Sequence, residues 1–197
     1  MRILIVGGGT IGKAIIAALT GRHELVLASK SNAPEQVDIS DPASIRALYA
    51  RVGRVDAVIG AAGSAAFKPL PELTDADFAF SLSNKLMGQV NLVRYGLASV
   101  ADGGSFTITA GSLAREPAPG ASAVGLVNSA LEGFVKSAAL DLPRGLRINA
   151  VSPPWIADTL KAIGRDPSTG ISAATAAKAY VASAEGKQTG AVLDPRA

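Results

Sequence analysis

The segment "RILIVGGGTIGKAIIAALT", Arg2 to Thr20, runs from a continuous apolar stretch through a glycine turn into helical period with no loop between them. An uninterrupted apolar run of this length suits a parallel strand covered on both faces, with the next helix folding back over it. The alternation recurs down the chain. "HELVLA", "DAVIGAA", "GSFTITA", "LRINAVS" and "GAVL" are further runs of strand length. Between them, "DPASIRALYARV" places Asp41 at an N-cap and Pro42 at the first helical position, with Gly53 as its stop. "TDADFAFSLSNKLMGQVNLVRYGLASV" opens with Thr74 and Asp77 at capping-box spacing and sets Leu86, Val90, Val93 and Leu97 on one face. One long helix with a buried face is predicted there. Strands alternating with helices specify an α/β fold, an open parallel sheet wound on both sides that binds ligands beyond the carboxyl ends of its strands.

With 197 residues, 48% of them hydrophobic, the chain has room for one domain spanning 1–197 and one sizeable core. It has no cysteine, which excludes disulfides and thiolate nucleophiles, and its single His23 lacks the partners of a metal site, so no metal is expected. The net charge of +3 comes from basic residues scattered among acids, and no nucleic-acid partner is expected. Glycines interrupt "MRILIV" well before the length of a signal peptide or membrane span. The expectation is a cytoplasmic protein with no membrane partner.

Within "VGGGTIG", Gly7, Gly9 and Gly12 fit the spacing G-x-G-x-x-G, directly after a strand and directly before a helix. Gly7 permits the tight turn, Gly9 lets backbone amides approach a pyrophosphate, and Gly12 lets helix and strand pack closely. The competing reading is an ordinary glycine turn. At the end of the second strand, where an acid usually accepts hydrogen bonds from the ribose of NAD, the chain reads "LVLASKSN". Ser29, Lys30 and Ser31 instead suit a ribose phosphate, which favours NADP(H) over NAD(H), unless Lys30 is simply a solvated loop charge.

Over nearly its whole length the chain resembles the short-chain dehydrogenase/reductase family. "VDISD" is similar to the family's adenine-contacting turn, with Asp38 and Ile39 in the matching places, and "GAAG" to its strand end beside the cofactor, Ala61, Ala62 and Gly63. "ALEGFVKSAALDLPRGLRINAVSPPWIADT" resembles the tail of the catalytic helix, the next strand and the loop that holds the nicotinamide carboxamide. The resemblance implies a Rossmann-type sheet of about seven strands in the order 3-2-1-4-5-6-7. It implies a phosphate loop of Gly7, Gly9, Thr10, Ile11 and Gly12, Pro153 and Ile156 at the carboxamide, and Thr159 near the phosphates. It also implies a homodimer or homotetramer joined partly through the helix containing 124 to 140. Hydride transfer between the nicotinamide and a small carbonyl or alcohol is the implied reaction.

Departures from the family pattern bear on that reaction. The glycine loop is one residue short, with Thr10 in place of a middle glycine, and Pro154 replaces a glycine beside Trp155. The segment that covers the substrate after Thr159 is trimmed. In "AVGLVNSALEGF", Asn128 falls at the position of the catalytic lysine and Val124 at that of the catalytic tyrosine. Valine has no proton to give, and an asparagine amide can hydrogen-bond a ribose hydroxyl but carries no charge. Ser112 stands nearest the carbonyl-polarising serine, or else caps its own loop. Lys85 occupies the helix position normally held by an asparagine; it puts an ammonium beside the ribose and substrate oxygen, or snorkels to solvent. Tyr49, Tyr95 and Tyr180 are expected to lie away from the cleft. Two functions remain open: a divergent NADP-dependent oxidoreductase using Ser112, Lys85 and Asn128, or a non-catalytic NADP-binding sensor or partner subunit.

Overall fold

A computed structural model describes residues 1–197. Seven parallel strands form one sheet: β1 (Arg2–Val6), β2 (Glu24–Ser29), β3 (Glu35–Gln36), β4 (Val55–Gly60), β5 (Val100–Thr109), β6 (Arg147–Val151) and β7 (Val192–Leu193). Their order is β3-β2-β1-β4-β5-β6-β7, as expected of the doubly wound sheet. At the centre, Ile5 of β1 pairs with Leu27 on one side and Ile59 on the other. β3 is only two residues long and pairs Glu35 and Gln36 with Ala28 and Ser29, so it shows no apolar run in the sequence.

The helices are α1 (Thr10–Leu19), α2 (Pro42–Val52), α3 (Asp75–Ser81), α4 (Gly88–Gly96), α5 (Ser122–Asp141), α6 (Ala157–Ala162) and α7 (Ala173–Glu185). Leu4 and Val6 of β1 point into the core shared with α2, α4 and α5, while Ile3 and Ile5 point into the core shared with α1 and α7. Burial on both faces is why the strand is apolar at every position. Asp41 accepts from the Ala43 amide at the start of α2, and Thr74 and Asp77 form a reciprocal capping box at the start of α3.

The long helix predicted from Thr74 onward is present as one unbroken helical run from Asp75 to Gly96, but α3 passes into a π-helical turn over Leu82–Met87 before α4 begins, and the run ends at Leu97, short of the predicted Val100. A π turn inserts an extra residue between hydrogen-bonded partners, which a 3.6-residue pattern of apolar positions does not register. Val90 and Val93 are buried as expected, with Leu86 and Leu97 packed against the same core. The turn carries Lys85.

Candidate active site

Two cavities open at the carboxyl ends of the strands. The wider, about 530 Å³, is lined by the turn after β1, the end of β2, the segment after β3 and the end of β4. Gly7, Gly9, Ser29, Lys30, Asp38, Ile39, Ala61, Ala62 and Gly63 all lie on its wall. At Gly7 the backbone has φ +131°, and an added Cβ would lie 2.6 Å from the Ala61 carbonyl carbon, so only glycine fits. Gly12 has a different role from the wall residues: a Cβ there would come within 1.9 Å of Gly7 O, so this glycine seats α1 against the turn. Thr10 is exposed at the first position of α1 and lines neither cavity. No side chain caps α1, whose N-cap is Gly9, and a Cβ on Gly9 would meet open space. That uncapped helix start leaves amide donors free for an anion.

Lys30 and Asp38 form an ion pair at 2.7 Å. Ser40 donates to the same carboxylate from its amide at 3.0 Å and its hydroxyl at 2.6 Å. The Lys30 ammonium, then the Ser40 donors, hold the Asp38 carboxyl down at about 2. Lys30 is therefore a partnered charge on the cavity wall, and Ser29 is tied into its own turn by donating to Ser31 O. Lys13 lines the same cavity and was not anticipated. A cation in the first turn of a helix opposes the macrodipole, and that misplacement was its available signal.

The smaller cavity, about 180 Å³, is lined by Ile11, Lys85, Thr109, Ser112, Asn128, Trp155 and their neighbours, with Pro153, Ile156 and Thr159 closing it. Lys85, Ser112 and Asn128 are thus brought together from three different elements. Lys85 does not snorkel: its Nζ donates to Ala110 O at 3.1 Å, and burial lowers its pKa to about 8. The Ser112 amide donates to Pro153 O at 2.9 Å, which joins the turn after β5 to the loop after β6. Asn128 is buried and its Oδ1 has no hydrogen-bond partner. Val124, one turn earlier on α5, is half-buried and lies outside the cavity wall.

Tyr180 is fully buried and lines neither cavity, yet its hydroxyl lies 2.9 Å from Thr109 Oγ1, and Thr109 lines the smaller cavity. Tyr49 is indeed buried elsewhere, donating to Leu92 O at 2.6 Å. Gln89 is a further residue that pattern reading missed. Fully buried, its amide donates to Gly60 O at 3.3 Å and to Ala62 O, and its Oε1 accepts from the Thr109 amide at 3.4 Å. It stitches the ends of β4 and β5 together where the two cavities meet. A polar residue on the apolar face of α4 was the signal. Over the mouth, Phe67 and Trp155 meet edge to face at 5.7 Å, with the Arg165 guanidinium 5.4 Å from Phe67.

The family model described as enoyl-(acyl carrier protein) reductase, of the short-chain alcohol dehydrogenase type, matches residues 15–191. The chain belongs to the short-chain dehydrogenase/reductase family. The solved structure of the Listeria innocua protein lin1944 is 38% identical, with a TM-score of 0.95 over 98% of each chain. A solved small-chain dehydrogenase is 25% identical, with a TM-score of 0.85 over 98% of this chain and 95% of that one. Hydroxynaphthalene reductase arp2 of Aspergillus fumigatus is 30% identical over 126 residues, 61% of this chain and 46% of that protein. The chain spans about half the length of the curated relatives it matches. Named relatives in the family are oxidoreductases, and no helix here is long and apolar enough to cross a membrane.

Proposed function

We propose that this family member is an NADP(H)-dependent oxidoreductase that moves hydride between the nicotinamide and a small carbonyl or alcohol through an atypical site. The observation that carries the reading is the pairing of the two cavities across the glycine loop. Gly9 and Asn84 line one, and their near neighbours Ile11 and Lys85 line the other. A dinucleotide has this shape, with a phosphorylated ribose and adenine at one end and a reacting ring at the other. The residues fit the group on two counts: the helix start at Gly9 is open and uncapped, and the buried Oδ1 of Asn128 needs a donor.

When bound, the nicotinamide supplies or takes the hydride. Asp38 and Ile39 would hold the adenine, Ala61 to Gly63 the adenosine, the turn from Gly7 to Gly9 with the start of α1 and Thr159 the phosphates, and Pro153 with Ile156 the carboxamide, while Thr10, outside both cavities, would reach the phosphates only through its backbone amide. Asn128 would accept from a ribose hydroxyl, the Ser112 hydroxyl would polarise the substrate carbonyl, and Lys85 would supply the positive charge of the site. NADP(H) is favoured because no acid ends β2 and Lys30 and Lys13 share the wider cavity, although Asp38 offsets part of that charge. The functional unit is one domain, working in the cytoplasm as a homodimer or homotetramer joined through α5.

Trp155, the only tryptophan, lines the smaller cavity and reports occupancy by its fluorescence. NADPH is expected to quench it with a Kd at least tenfold below that of NADH, and to be oxidised by some member of a panel of small ketones and aldehydes. The proton-free Val124 favours a second reading, a nucleotide-binding module without turnover. Quenching by NADPH with no oxidation across the panel decides for that reading, more so if Val124→Tyr with Asn128→Lys then creates activity. No quenching by either nucleotide defeats both.

A further inference from the structure

Hydride addition to a carbonyl carbon leaves an oxyanion that must gain a proton, and the smaller cavity has few donors to give one. Of its thirteen lining residues, Lys85 is the only ionisable one. The Thr109 hydroxyl spends its proton on Gly60 O, at 2.6 Å, so the Tyr180 hydroxyl donates to Thr109 and ends there. Tyr180 is wholly buried behind the strand, which pushes its pKa above the ordinary value and leaves no solvent path to recharge it. Lys85 differs on each point. Its ammonium has three N–H groups, only one of which meets a protein acceptor, Ala110 O at 3.1 Å, and no carboxylate pairs with it. Its stem is fixed by the π turn and lies against Gly63, where a Cβ would come 3.0 Å from Lys85 Cδ.

We propose that Lys85 is the proton donor of the reaction, an inference that rests on the oxidoreductase reading above. As the carbonyl carbon takes hydride from a dihydronicotinamide, an N–H bond of the Lys85 ammonium breaks and its proton forms the O–H bond of the product alcohol. Water entering the open cleft reprotonates the neutral amine. The family's two chemical positions are thereby exchanged in kind, with the amide on α5 at Asn128 and the cation on the turn before α4.

Surroundings favour proton release near neutral pH. The groups facing Lys85 are uncharged on every element around it: Asn84 and Gln89 on its own segment, Gly63 and Ser64 after β4, Ser112 after β5, Asn128 on α5 and Pro153 after β6. Glu132, a turn beyond Asn128, is held away by Ser152 at 2.8 Å and Arg115 at 3.4 Å. The nearest charges in the adjoining cavity are Lys13 and the Lys30–Asp38 pair. A donor lowered to about 8 by burial is well matched to its task.

Lys85→Met and Lys85→Arg separate a proton donor from a fixed charge, since a guanidinium keeps the charge but does not release a proton in this range. Each variant is expected to lose about 10²–10⁴ in the rate of carbonyl reduction while NADPH still quenches Trp155, which shows the site assembled. Native reduction is expected to fall above pH of about 8, a break absent from the residual rate of both variants. Independently of turnover, acetylation of Lys85 by acetic anhydride, followed by mass spectrometry across pH, is expected to have its midpoint at about 8. Native-like reduction by Lys85→Arg, or a labelling midpoint near the ordinary lysine value of 10.5, overturns the assignment. A native protein that binds NADPH and reduces nothing overturns the oxidoreductase reading with it, whereas an active protein indifferent to Lys85→Met overturns the donor alone.

Discussion

Lys85 is held at a cost. Its pKa in the folded chain is lowered to about 8, below the ordinary 10.5, so between those values the unfolded chain binds more protons than the folded one. Stability attributable to this group therefore rises as pH climbs from 8 towards 10.5, and below pH 8 the full desolvation cost is present. Lys85→Met is expected to raise the melting temperature at pH 7 by a few degrees, on the order of 1–3 kcal/mol, with the gain shrinking by pH 10. Thermal denaturation at the two pH values checks it, and an unchanged or lower melting temperature at pH 7 contradicts it. Asp38 has the opposite sign: its stabilisation is present above the ordinary carboxylate range and is lost as pH falls towards 2.

At the scale of elements, the segment from Thr74 to Val100 is the instructive one. Its capping box is local, decided by Thr74 and Asp77 three residues apart, and was therefore readable. The π turn was not, because widening one turn of helix depends on what the neighbouring strand ends offer to Lys85 and Gln89. β5 shows the same limit. "GSFTITA" reads as a strand, yet Ser105, Thr107 and Thr109 face α7, where Thr107 meets Ser183 at 2.7 Å and Thr109 meets Tyr180. Their alternation with Phe106 and Ile108 was visible, but which helix would answer it was not. Gln89→Leu is expected to leave Gly60 O, Ala62 O and the Thr109 amide with fewer partners and to cost about 2–3 kcal/mol, a fall of roughly 4–10 °C in melting temperature. NADPH affinity, read by Trp155 quenching, is expected to fall with it, because both cavities share the strand ends that Gln89 joins. A variant with native stability and affinity shows that Gln89 does not hold them.

Across the whole molecule, α5 packs Val127, Leu131 and Val135 inward and leaves Leu126 and Leu140 at the surface, 49% and 88% exposed. If α5 joins subunits, Leu126→Glu places a charge in that contact and converts an oligomer into a monomer at micromolar concentration, as measured by sedimentation velocity. A native protein that is already monomeric at that concentration refutes the assembly. Such a variant is expected to keep the fold of its sheet, since Leu126 contributes to neither core.

By itself the sequence determined the strand-helix alternation, the turn after β1 and the helix caps, because each depends on residues within a few positions of one another. Apolar runs buried on both faces leave little choice but a sheet covered by helices on both sides. Tertiary structure alone decided which side chains meet at the strand ends. Asn128, Lys85 and Ser112 come from α5, the π turn and the segment after β5, and Tyr180 reaches Thr109 across 71 residues. The physical reason is that a lysine's charge, donors and reach are the same in any sequence, whereas its proton affinity is set by the water it loses and the neighbours it gains on folding.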